Sequence, residues 1–446
     1  MLRNRWRLTL LLSVPVVVLL AAACGSKAKP TTTPQATGTT TGATTATAQP
    51  TAAGAPLCKS TNQTEGVTAS EIKVGNTNPH SGPVSGYYPI AQGIEAYFKY
   101  INAQGGVNGR KINFISLDDA YSTPKTVELT KQLVEQDHVF VDLNPLGTPS
   151  NTAIRAYMNQ HGVPQLFVAT GATTWGRDFA QYPCTMGWQP DYESESEINA
   201  QYLLKNIPDA KIAVLYQNDD YGQDYLNGLV KGLGDKASSM IVAKESYATS
   251  EPDISPHIAK LKGSGANVLF LFTTPAFTVQ ALKAKQQLGW SPTVFDNSVS
   301  NSLAIMKAAG DAASQGVLSA VYLKDPSDPK YASDPTVQQY KQVLKQYLPQ
   351  ADPNNGFYFY GFAVADQFVY VLKQMGSNVT RDNLWKVARN MDYASPYLLP
   401  GIKVHTSDSP PDYFPIQQMQ LEKYDKGAWV PFGEVYDASQ FAAKSK

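Results

Sequence analysis

The sequence predicts an α/β protein made of two units, each a parallel β-sheet covered by helices. From residue 72 onward, short runs rich in β-branched residues alternate with longer stretches at helical spacing, which is typical of such sheets. The same rhythm restarts at Lys211. With 446 residues, of which 43% are hydrophobic and 17% charged, the chain is too long for one core and ordinary enough in composition to be globular. We therefore expect two lobes.

The first unit begins with a strand at residues 72–75 and a helix at about 90–102. Apolar side chains recur in that helix at the spacing of one buried face, namely Ile94, Tyr97, Phe98 and Ile101. Two later helices are entered at Thr-Pro pairs, where a hydroxyl caps the helix and the missing proline N–H costs nothing. These pairs are Thr123-Pro124 and Thr148-Pro149. The remaining strands are expected at 112–117, 139–143 and 165–168.

The second unit repeats this order of elements. Strands are expected at 211–216, 241–245, 268–272 and 293–295, with helices after Tyr221 and around 258–262 and 279–288. Beyond them, residues 336–347 and 358–375 are predicted to be long helices, and 416–421 and 429–432 to be strands. These late elements predict that the two lobes exchange chain more than once.

The N-terminus has the features of an export signal. Three arginines precede an apolar run that is short for a membrane span, and small residues lead to Cys24. This stretch resembles the lipobox of bacterial lipoproteins, so we predict a signal peptide at 1–23 and a lipid on Cys24. A plain signal or an N-terminal membrane anchor is the alternative. Residues 24–66, rich in Thr, Ala and Pro, predict a disordered linker with an end-to-end distance of roughly 35 Å.

The cysteine count and the charge limit the compartment and the partners. If Cys24 carries lipid, Cys58 and Cys184 remain as a pair in an oxidising compartment, and we predict a disulfide between them. Two free buried thiols are the alternative. The formal charge is zero, and removal of three signal-peptide arginines leaves about −3 with no basic stretch. We expect no nucleic-acid partner.

The loops after the predicted strands are the candidate site, because ligands of open parallel sheets bind at the carboxyl ends of the strands. In the first unit, loops 76–88, 144–148 and 169–175 are rich in Gly, Ser, Thr and Asn and contain no carboxylate and no lysine. They suit a carboxylate or a polar neutral group, although the same residues also simply form turns. Loops 219–222, 273–277 and 296–298 of the second unit add Tyr and Phe, which suit an apolar body.

Signatures of catalysis are missing from the sequence. It contains no G-x-S-x-G, no G-x-x-x-x-G-K and no H-E-x-x-H segment, and its five histidines have no metal-ligand spacing. Asp118 and Asp119 are adjacent on one strand end and point in opposite directions, which favours structural roles. We predict no enzyme, no metal and no cofactor. His80 alone lies in a candidate site loop.

Several segments together resemble the leucine/isoleucine/valine-binding family of ABC-transporter solute receptors, over residues 71–432. They are Ser81-Gly82-Pro83, the string from Ile101 to Ile112 that contains Gly105-Gly106-Val107-Asn108-Gly109-Arg110, Leu117-Asp118-Asp119-Ala120 and Gly162-Val163-Pro164. The resemblance implies the periplasmic binding protein type I fold, with two Rossmann-like doubly wound lobes joined by a multi-strand hinge. Lobe 1 would comprise 67–189 and about 322–397, and lobe 2 would comprise 190–321 and about 398–446.

The resemblance also implies ligand contacts on both lobes. By position these are Tyr87, Gly147, Thr148, Ala169, Thr170 and Gly171 on lobe 1, and Tyr221, Thr274 and Ser298 on lobe 2. In branched-chain amino-acid binders an acidic residue of the second lobe pairs with the ligand ammonium, but Ser298 stands at that place here. Either Asp296 or Asp220 substitutes for it, or the ligand is a carboxylate, an aromatic acid or an amide without an ammonium.

The resulting expectation is a receptor that is lipid-anchored on the outer face of the bacterial cytoplasmic membrane. It would bind a small organic solute, such as an amino acid or a related carboxylate or amide, by hinge closure. As a monomer it would deliver that solute to the permease of an ABC importer. The alternative is a ligand-sensing module that signals to a membrane partner.

Overall fold

The computed structural model describes residues 58–441 of the chain. The predicted signal peptide, Cys24 and the predicted linker up to residue 57 lie outside these residues. The described part is an α/β fold with two lobes, each containing its own sheet. The fold class predicted from the alternating pattern is confirmed.

Five parallel strands form the first sheet: β1 (Glu71–Asn78), β2 (Lys111–Asp118), β3 (Val141–Leu143), β4 (Gln165–Val168) and β5 (Thr185–Gly187). They lie in the order β2-β1-β3-β4-β5. All but β5 are predicted by the sequence. Because the chain leaves β1 toward one side and β3 toward the other, a crevice opens between them at the carboxyl edge of the sheet.

The second sheet has seven strands. Five are parallel: β6 (Ile212–Gln217), β7 (Ile241–Tyr247), β8 (Val268–Phe272), β9 (Thr293–Asp296) and β10 (Leu318–Val321). Two short antiparallel ladders follow in the chain, β11 (Asp392–Tyr393) with β12 (Val404–His405) and β13 (Ser407–Asp408) with β14 (Pro411–Asp412). Antiparallel β15 (Gln418–Asp425) and β16 (Ala428–Asp437) complete the sheet in the order β16-β15-β10-β9-β8-β6-β7. Strand β10 has no counterpart among the strands expected from the sequence.

Helices cover both sheets. In chain order they are α1 (Tyr88–Ala103), α2 (Thr123–Glu135), α3 (Thr148–His161), α4 (Thr174–Arg177), α5 (Tyr192–Asn206), α6 (Asp220–Leu233), α7 (Ala237–Met240), α8 (Ser255–Gly263), α9 (Pro275–Gln287), α10 (Leu303–Ala309), α11 (Asp311–Ser314), α12 (Pro335–Tyr347), α13 (Gly356–Met375) and α14 (Arg381–Ala388). Helix α5 is the longest helix that the sequence analysis did not predict.

Helices α1 and α13 pack at very short range on the first lobe. A Cβ atom on Gly361 would lie 2.2 Å from the carbonyl oxygen of Ile90, and one on Gly93 would lie 2.5 Å from that of Tyr358. Such distances leave no room for a side chain, so both glycines are required by the contact. This contact holds helix α13 against the first lobe. The helix comes late in the chain, so its position agrees with the predicted exchange of chain between the lobes.

The chain passes between the two sheets in three places: after β5, after β10 and before β15. Two of these connections pair with each other. The Leu399 N–H donates to the Tyr322 carbonyl at 2.9 Å, and the Lys324 N–H donates to the Tyr397 carbonyl at 3.0 Å. The connections between the lobes therefore form a short, hydrogen-bonded hinge.

The start of the described chain is attached to the first lobe. The predicted disulfide between Cys58 and Cys184 is present and closes a separation of 126 residues. Gln63 Nε2 donates to Asp382 Oδ1 and Gln63 Oε1 accepts from the Asp382 N–H, both at 2.9 Å, and Arg381 donates to the Ser60 hydroxyl at 3.1 Å. The prediction of a disordered linker reaching Gly66 was therefore wrong for residues 58–66, because long-range partners that composition does not show hold this segment.

Candidate functional site

A cavity of about 120 Å³ lies at the carboxyl ends of strands from both sheets. A single water needs about 10–15 Å³ on this measure, so the cavity can hold a small organic molecule. Seven of the nine ligand contacts expected from the resemblance line it: Tyr87, Gly147, Thr148, Ala169, Tyr221, Thr274 and Ser298. Side chains separated by more than 200 positions in the sequence meet at this one site.

On the first lobe, the N-terminus of α3 faces the cavity. Gly147 precedes this helix with a φ of 105°, a conformation that glycine adopts without strain, and a Cβ atom there would lie 2.7 Å from the Tyr121 ring. Thr148 is the first helical residue, and its hydroxyl lies 2.6 Å from that of Thr170. The positive end of the helix dipole together with a hydroxyl group favours an anionic or polar group here.

Thr170 and Gly171 do not line the cavity and lie behind its wall. The Thr170 hydroxyl contacts Thr148 and also accepts from the Trp175 indole N–H at 3.3 Å. The Gly171 carbonyl accepts from the Tyr192 N–H at 2.8 Å. These two residues position the residues that face the cavity.

On the second lobe, a hydrogen-bonded network fixes the wall. Gln217 Oε1 accepts from the hydroxyls of Tyr247 and Thr274 at 3.1 and 3.2 Å. The Tyr221 hydroxyl donates to the Thr273 carbonyl at 3.0 Å. Burial raises the pKa of Tyr221 well above its usual value, so the phenol remains neutral.

Ser298 is held by a carboxylate that the sequence analysis missed. Glu195 of α5 is fully buried, and its two oxygens accept from the Ser298 N–H at 2.7 Å and the Ser298 hydroxyl at 2.6 Å. The Tyr225 hydroxyl adds a third hydrogen bond of 2.8 Å. Burial raises the pKa of Glu195 to about 7 despite these donors. Glu195 therefore positions the Ser298 loop and does not line the cavity itself.

The two aspartates expected to replace the missing acidic residue do not face the cavity. Asp296 is buried, accepts from the Thr278 hydroxyl at 3.4 Å and has a pKa raised well above the usual range by burial. Asp220 is exposed at the start of α6. Neither residue lies among those that line the cavity.

The connections between the lobes and α13 supply most of the aromatic lining that the sequence analysis missed. These residues are Tyr192, Tyr322, Phe357, Phe359 and Tyr360, together with Tyr121 from the loop after β2. The Tyr360 hydroxyl donates to Gln189 Oε1 at 2.8 Å, and the Tyr360 ring meets Trp188 edge to face at 4.9 Å. The sequence does contain a signal for Tyr192, because this residue closely follows a strand. It was not used because strands β5 and β10 were not predicted.

Among residues 58–441, the charged residues that line the cavity all lie on its hinge side. They are Lys324 and Asp325, which follow β10, and Glu422 on β15. The Lys324 ammonium lies 2.7 Å from Asp334 Oδ2 and so already has a partner. The loops of the first lobe contribute no charge to the lining, as the sequence analysis expected.

Contacts also cross between the lobes. Gln217 Nε2 on the second lobe donates to the Tyr121 hydroxyl on the first at 3.4 Å. The Thr173 N–H, in the loop after β4, donates to Asp224 Oδ2 of α6 at 2.9 Å. The cavity therefore lies between two lobes that contact each other beside it.

Other candidate residues are accounted for by structural contacts. His80 Nε2 lies 3.0 Å from the Ser116 hydroxyl and the ring packs on Tyr88, away from the cavity. The carboxylates of Asp118 and Asp119 accept from backbone N–H groups of the adjacent turn, including those of Ala120 and Tyr121. Within residues 58–441, no three His, Cys, Asp or Glu side chains are placed to hold a metal ion, and no helix combines the length and apolar character needed to cross a bilayer.

Comparisons with known proteins point to one family. A family model described as periplasmic binding protein matches residues 71–428. The Leu/Ile/Val-binding protein homolog 1 of Brucella abortus is 27% identical over 342 residues, which cover 74% of this chain and 84% of the relative.

Two solved structures share the fold. A branched chain amino acid ABC transporter from Thermus thermophilus with bound valine aligns with a TM-score of 0.73 at 16% identity, covering 84% of this chain and 100% of the other. A solute binding protein from R. palustris in complex with benzoate aligns with a TM-score of 0.68 at 19% identity, covering 82% and 96%.

Proposed function

Because the chain belongs to the periplasmic binding protein family, we propose that it is a solute-binding lipoprotein that works outside the cytoplasmic membrane and serves an ABC importer. Its solute is a small organic molecule: a branched-chain or other amino acid, or a related carboxylate or amide. The observation that carries this proposal is the cavity between the strand-end loops of both lobes, which is lined by Tyr87, Thr148, Tyr221 and Thr274.

The lining supports a solute with one polar end and one apolar body. A carboxylate or amide would bind at the N-terminus of α3 and the Thr148 hydroxyl, where the helix dipole favours negative charge. Tyrosine and phenylalanine rings around the rest of the cavity suit an aliphatic or aromatic body. The valine and benzoate bound by the two structural neighbours are both molecules of this kind.

Hinge closure would form the cavity when the solute binds. The paired connections at Tyr322 and Leu399 are the expected pivot, and the cross-lobe hydrogen bond between Gln217 and Tyr121 would form only when the lobes meet. A lipid on Cys24 and the linker after it would keep the receptor near its permease.

A ligand screen with a matched pair of variants tests this proposal. Thermal unfolding of the protein is measured with L-valine, L-leucine, benzoate and their amides, and any ligand that shifts the midpoint is titrated by calorimetry. A ligand at about one hundred times its Kd stabilises the protein by about 2.7 kcal/mol. Failure of every compound to shift the midpoint at millimolar concentration would contradict the proposed solute class.

Thr148→Val tests the predicted carboxylate contact. It removes a hydroxyl hydrogen bond to a charged group, which is worth about 1.5–3 kcal/mol, so we expect a Kd raised roughly tenfold to a hundredfold. Thr152→Val is the control, because Thr152 is exposed on the same helix. Equal affinities of the two variants would place the carboxylate elsewhere.

A deletion strain separates transport from sensing. Loss of growth on the identified solute as sole nitrogen or carbon source supports import. Normal uptake with a lost transcriptional response would support the sensing alternative instead.

A further inference from the structure

A contact outside the cavity joins the two lobes through one carboxyl group. Asp224 lies on α6 of the second lobe, and its Oδ2 accepts from both the N–H and the hydroxyl of Thr173, at 2.9 and 3.0 Å. Thr173 belongs to the first lobe, in the loop after β4. Asp224 is not among the residues that line the cavity. This carboxyl group therefore contacts the opposite lobe without contacting the space for the solute.

The Thr173 hydroxyl has one proton for two carboxyl groups. Besides Asp224 Oδ2, it lies 3.3 Å from Oδ1 of Asp191, the residue that caps the N-terminus of α5. A hydroxyl donates only one hydrogen bond, so when both acids are ionised one of them does not receive it. A proton on Asp224 would change this, because its O–H would donate to the Thr173 oxygen while the Thr173 O–H donates to Asp191. The contact between the lobes therefore fits one added proton.

The nearest acidic groups disfavour a negative charge on Asp224. Burial, Glu193 and Asp191 raise the pKa of Asp224 to about 7, although the two hydrogen bonds from Thr173 favour the ionised form. Glu193 lies in the first turn of α5, the helix that packs against α6. Contact between the lobes therefore places this carboxyl group where its neutral form is favoured.

The cations on the surrounding elements already have carboxylate partners. Lys231 on α6 lies 3.3 Å from Glu193 Oε2, and Arg177 on α4 lies 2.8 Å from Asp178 Oδ1. Arg155 on α3 lies 3.8 Å from the other oxygen of Asp178. Within residues 58–441, no lysine, arginine or histidine forms an ion pair with the carboxyl group on α6 that contacts the first lobe.

We propose that Asp224 controls closure from outside the cavity: a proton on its carboxyl group favours contact between the lobes, so the protein binds its solute more tightly in acid than at alkaline pH. This inference rests on the proposed hinge closure and adds its regulation. Opening would withdraw Thr173 and expose Asp224 to water, which returns the pKa of this carboxyl group toward its ordinary value. Closure therefore takes up a proton, and Asp224 acts as a positioning residue for the lobes.

The sign and size of the pH effect follow from the two pKa values. Because closure raises the pKa of Asp224 from 3.8 to about 7, its contribution to the closed form is complete below pH 3.8 and is lost as the pH rises through 7. From pH 5.5 to pH 8, the ratio of closed to open molecules should fall by up to roughly thirtyfold. A carboxylate that only accepted hydrogen bonds across the lobes would favour closure at high pH instead.

The test measures closure in the absence of any ligand. Glu128→Cys on α2 and Lys283→Cys on α9 are exposed positions on opposite lobes, and they carry a pair of fluorescent dyes in a background with Cys24→Ser. Single-molecule energy transfer between the dyes then gives the ratio of closed to open molecules at pH 5.5 and pH 8. The variants are Asp224→Asn, which stays neutral at both pH values, and the control Asp220→Asn, which is exposed on the same helix.

We expect this ratio to be tenfold or more higher at pH 5.5 than at pH 8 in the wild type and in Asp220→Asn. In Asp224→Asn the ratio should be the same at both pH values. At pH 8 this variant should close more than the wild type, because its amide oxygen is neutral and still accepts from Thr173. Calorimetry with L-valine, L-leucine and benzoate should show the same pattern in Kd.

Each other outcome overturns a stated part of the reasoning. A wild-type ratio that does not change with pH, a change that persists in Asp224→Asn, or a pH-independent Kd for a probe that binds refutes the role of Asp224 and leaves the proposed solute class standing. If none of the three probes binds but the ratio changes as expected, the proposed solute class fails and the role of Asp224 stands. If circular dichroism shows that Asp224→Asn does not fold, Asp224→Ala replaces it: loss of the pH dependence supports the role and an unchanged dependence refutes it.

Discussion

Removal of the Cys58–Cys184 disulfide should be among the most destabilising changes outside the cavity. The bridge closes a separation of 126 residues, so in the chain-entropy account it lowers the entropy of the unfolded chain by about 16 cal/mol/K, or about 5 kcal/mol at 25 °C. Engineered and native bridges typically give less, about 2–4 kcal/mol. Contacts of Gln63 and Arg381 with the first residues remain in the reduced protein, so the folded state should keep its structure.

The assay is urea denaturation of Cys58→Ser/Cys184→Ser in a background that carries Cys24→Ser. The background protein with its bridge intact is the reference, and both are followed by fluorescence and circular dichroism. We expect a loss of about 2–5 kcal/mol in the free energy of unfolding and native affinity for the ligand. A loss below about 1 kcal/mol would refute the entropic reasoning, and two reactive thiols in the denatured, unreduced background protein would refute the bridge itself.

Two further predictions concern the interior. Burial raises the pKa of Glu195 from 4.5 to about 7. The contribution of this carboxyl group to the free energy of unfolding is therefore fully present below pH 4.5 and is lost as the pH rises through 7. The loss is on the order of 3 kcal/mol. The difference in free energy of unfolding between wild type and Glu195→Gln should change by about that amount from pH 5 to 8, and a flat difference would contradict the raised pKa. Gly361→Ala places a Cβ atom 2.2 Å from the Ile90 carbonyl oxygen. We expect this clash to lower the free energy of unfolding by about 1–3 kcal/mol, as measured by thermal unfolding. Gly356→Ala on the same helix meets no atom within 4 Å and should cost little, so equal losses would disprove the close contact.

The strand-end loops show how far the sequence could predict the site. The loop that contains Gly147 and Thr148 was expected at the site because it follows a predicted strand and precedes a Thr-Pro helix start, and such local patterns are visible in one sequence. The two residues themselves were expected from the family resemblance. Glu195 could not be found this way. It contacts Ser298 across 103 positions of sequence, and helix α5 gives no periodic signal, because most of its residues are buried.

The charged end of the cavity was missed for a related reason. Strand β10 is four residues long, and the residues after it, Lys324 and Asp325, resemble an ordinary surface loop. Glu422 occupies a strand position where alternation alone predicts either face. Only the pairing of β15 with β10 brings this carboxyl beside Asn301 and into the cavity wall.

The sequence alone determined the α/β class, the two units, the cysteine pair and most of the loops that line the cavity, because each depends on local periodicity, turn chemistry or simple counting. The tertiary structure decided which side chains enter the cavity, which ones stand behind it and where the acidic side chains lie. Those features depend on strand order, on three passages of the chain between the sheets and on burial, which couple residues hundreds of positions apart. Cys58 shows both sides: the count of cysteines predicted its partner, but only the folded structure showed the contacts that hold residues 58–66 against the first lobe.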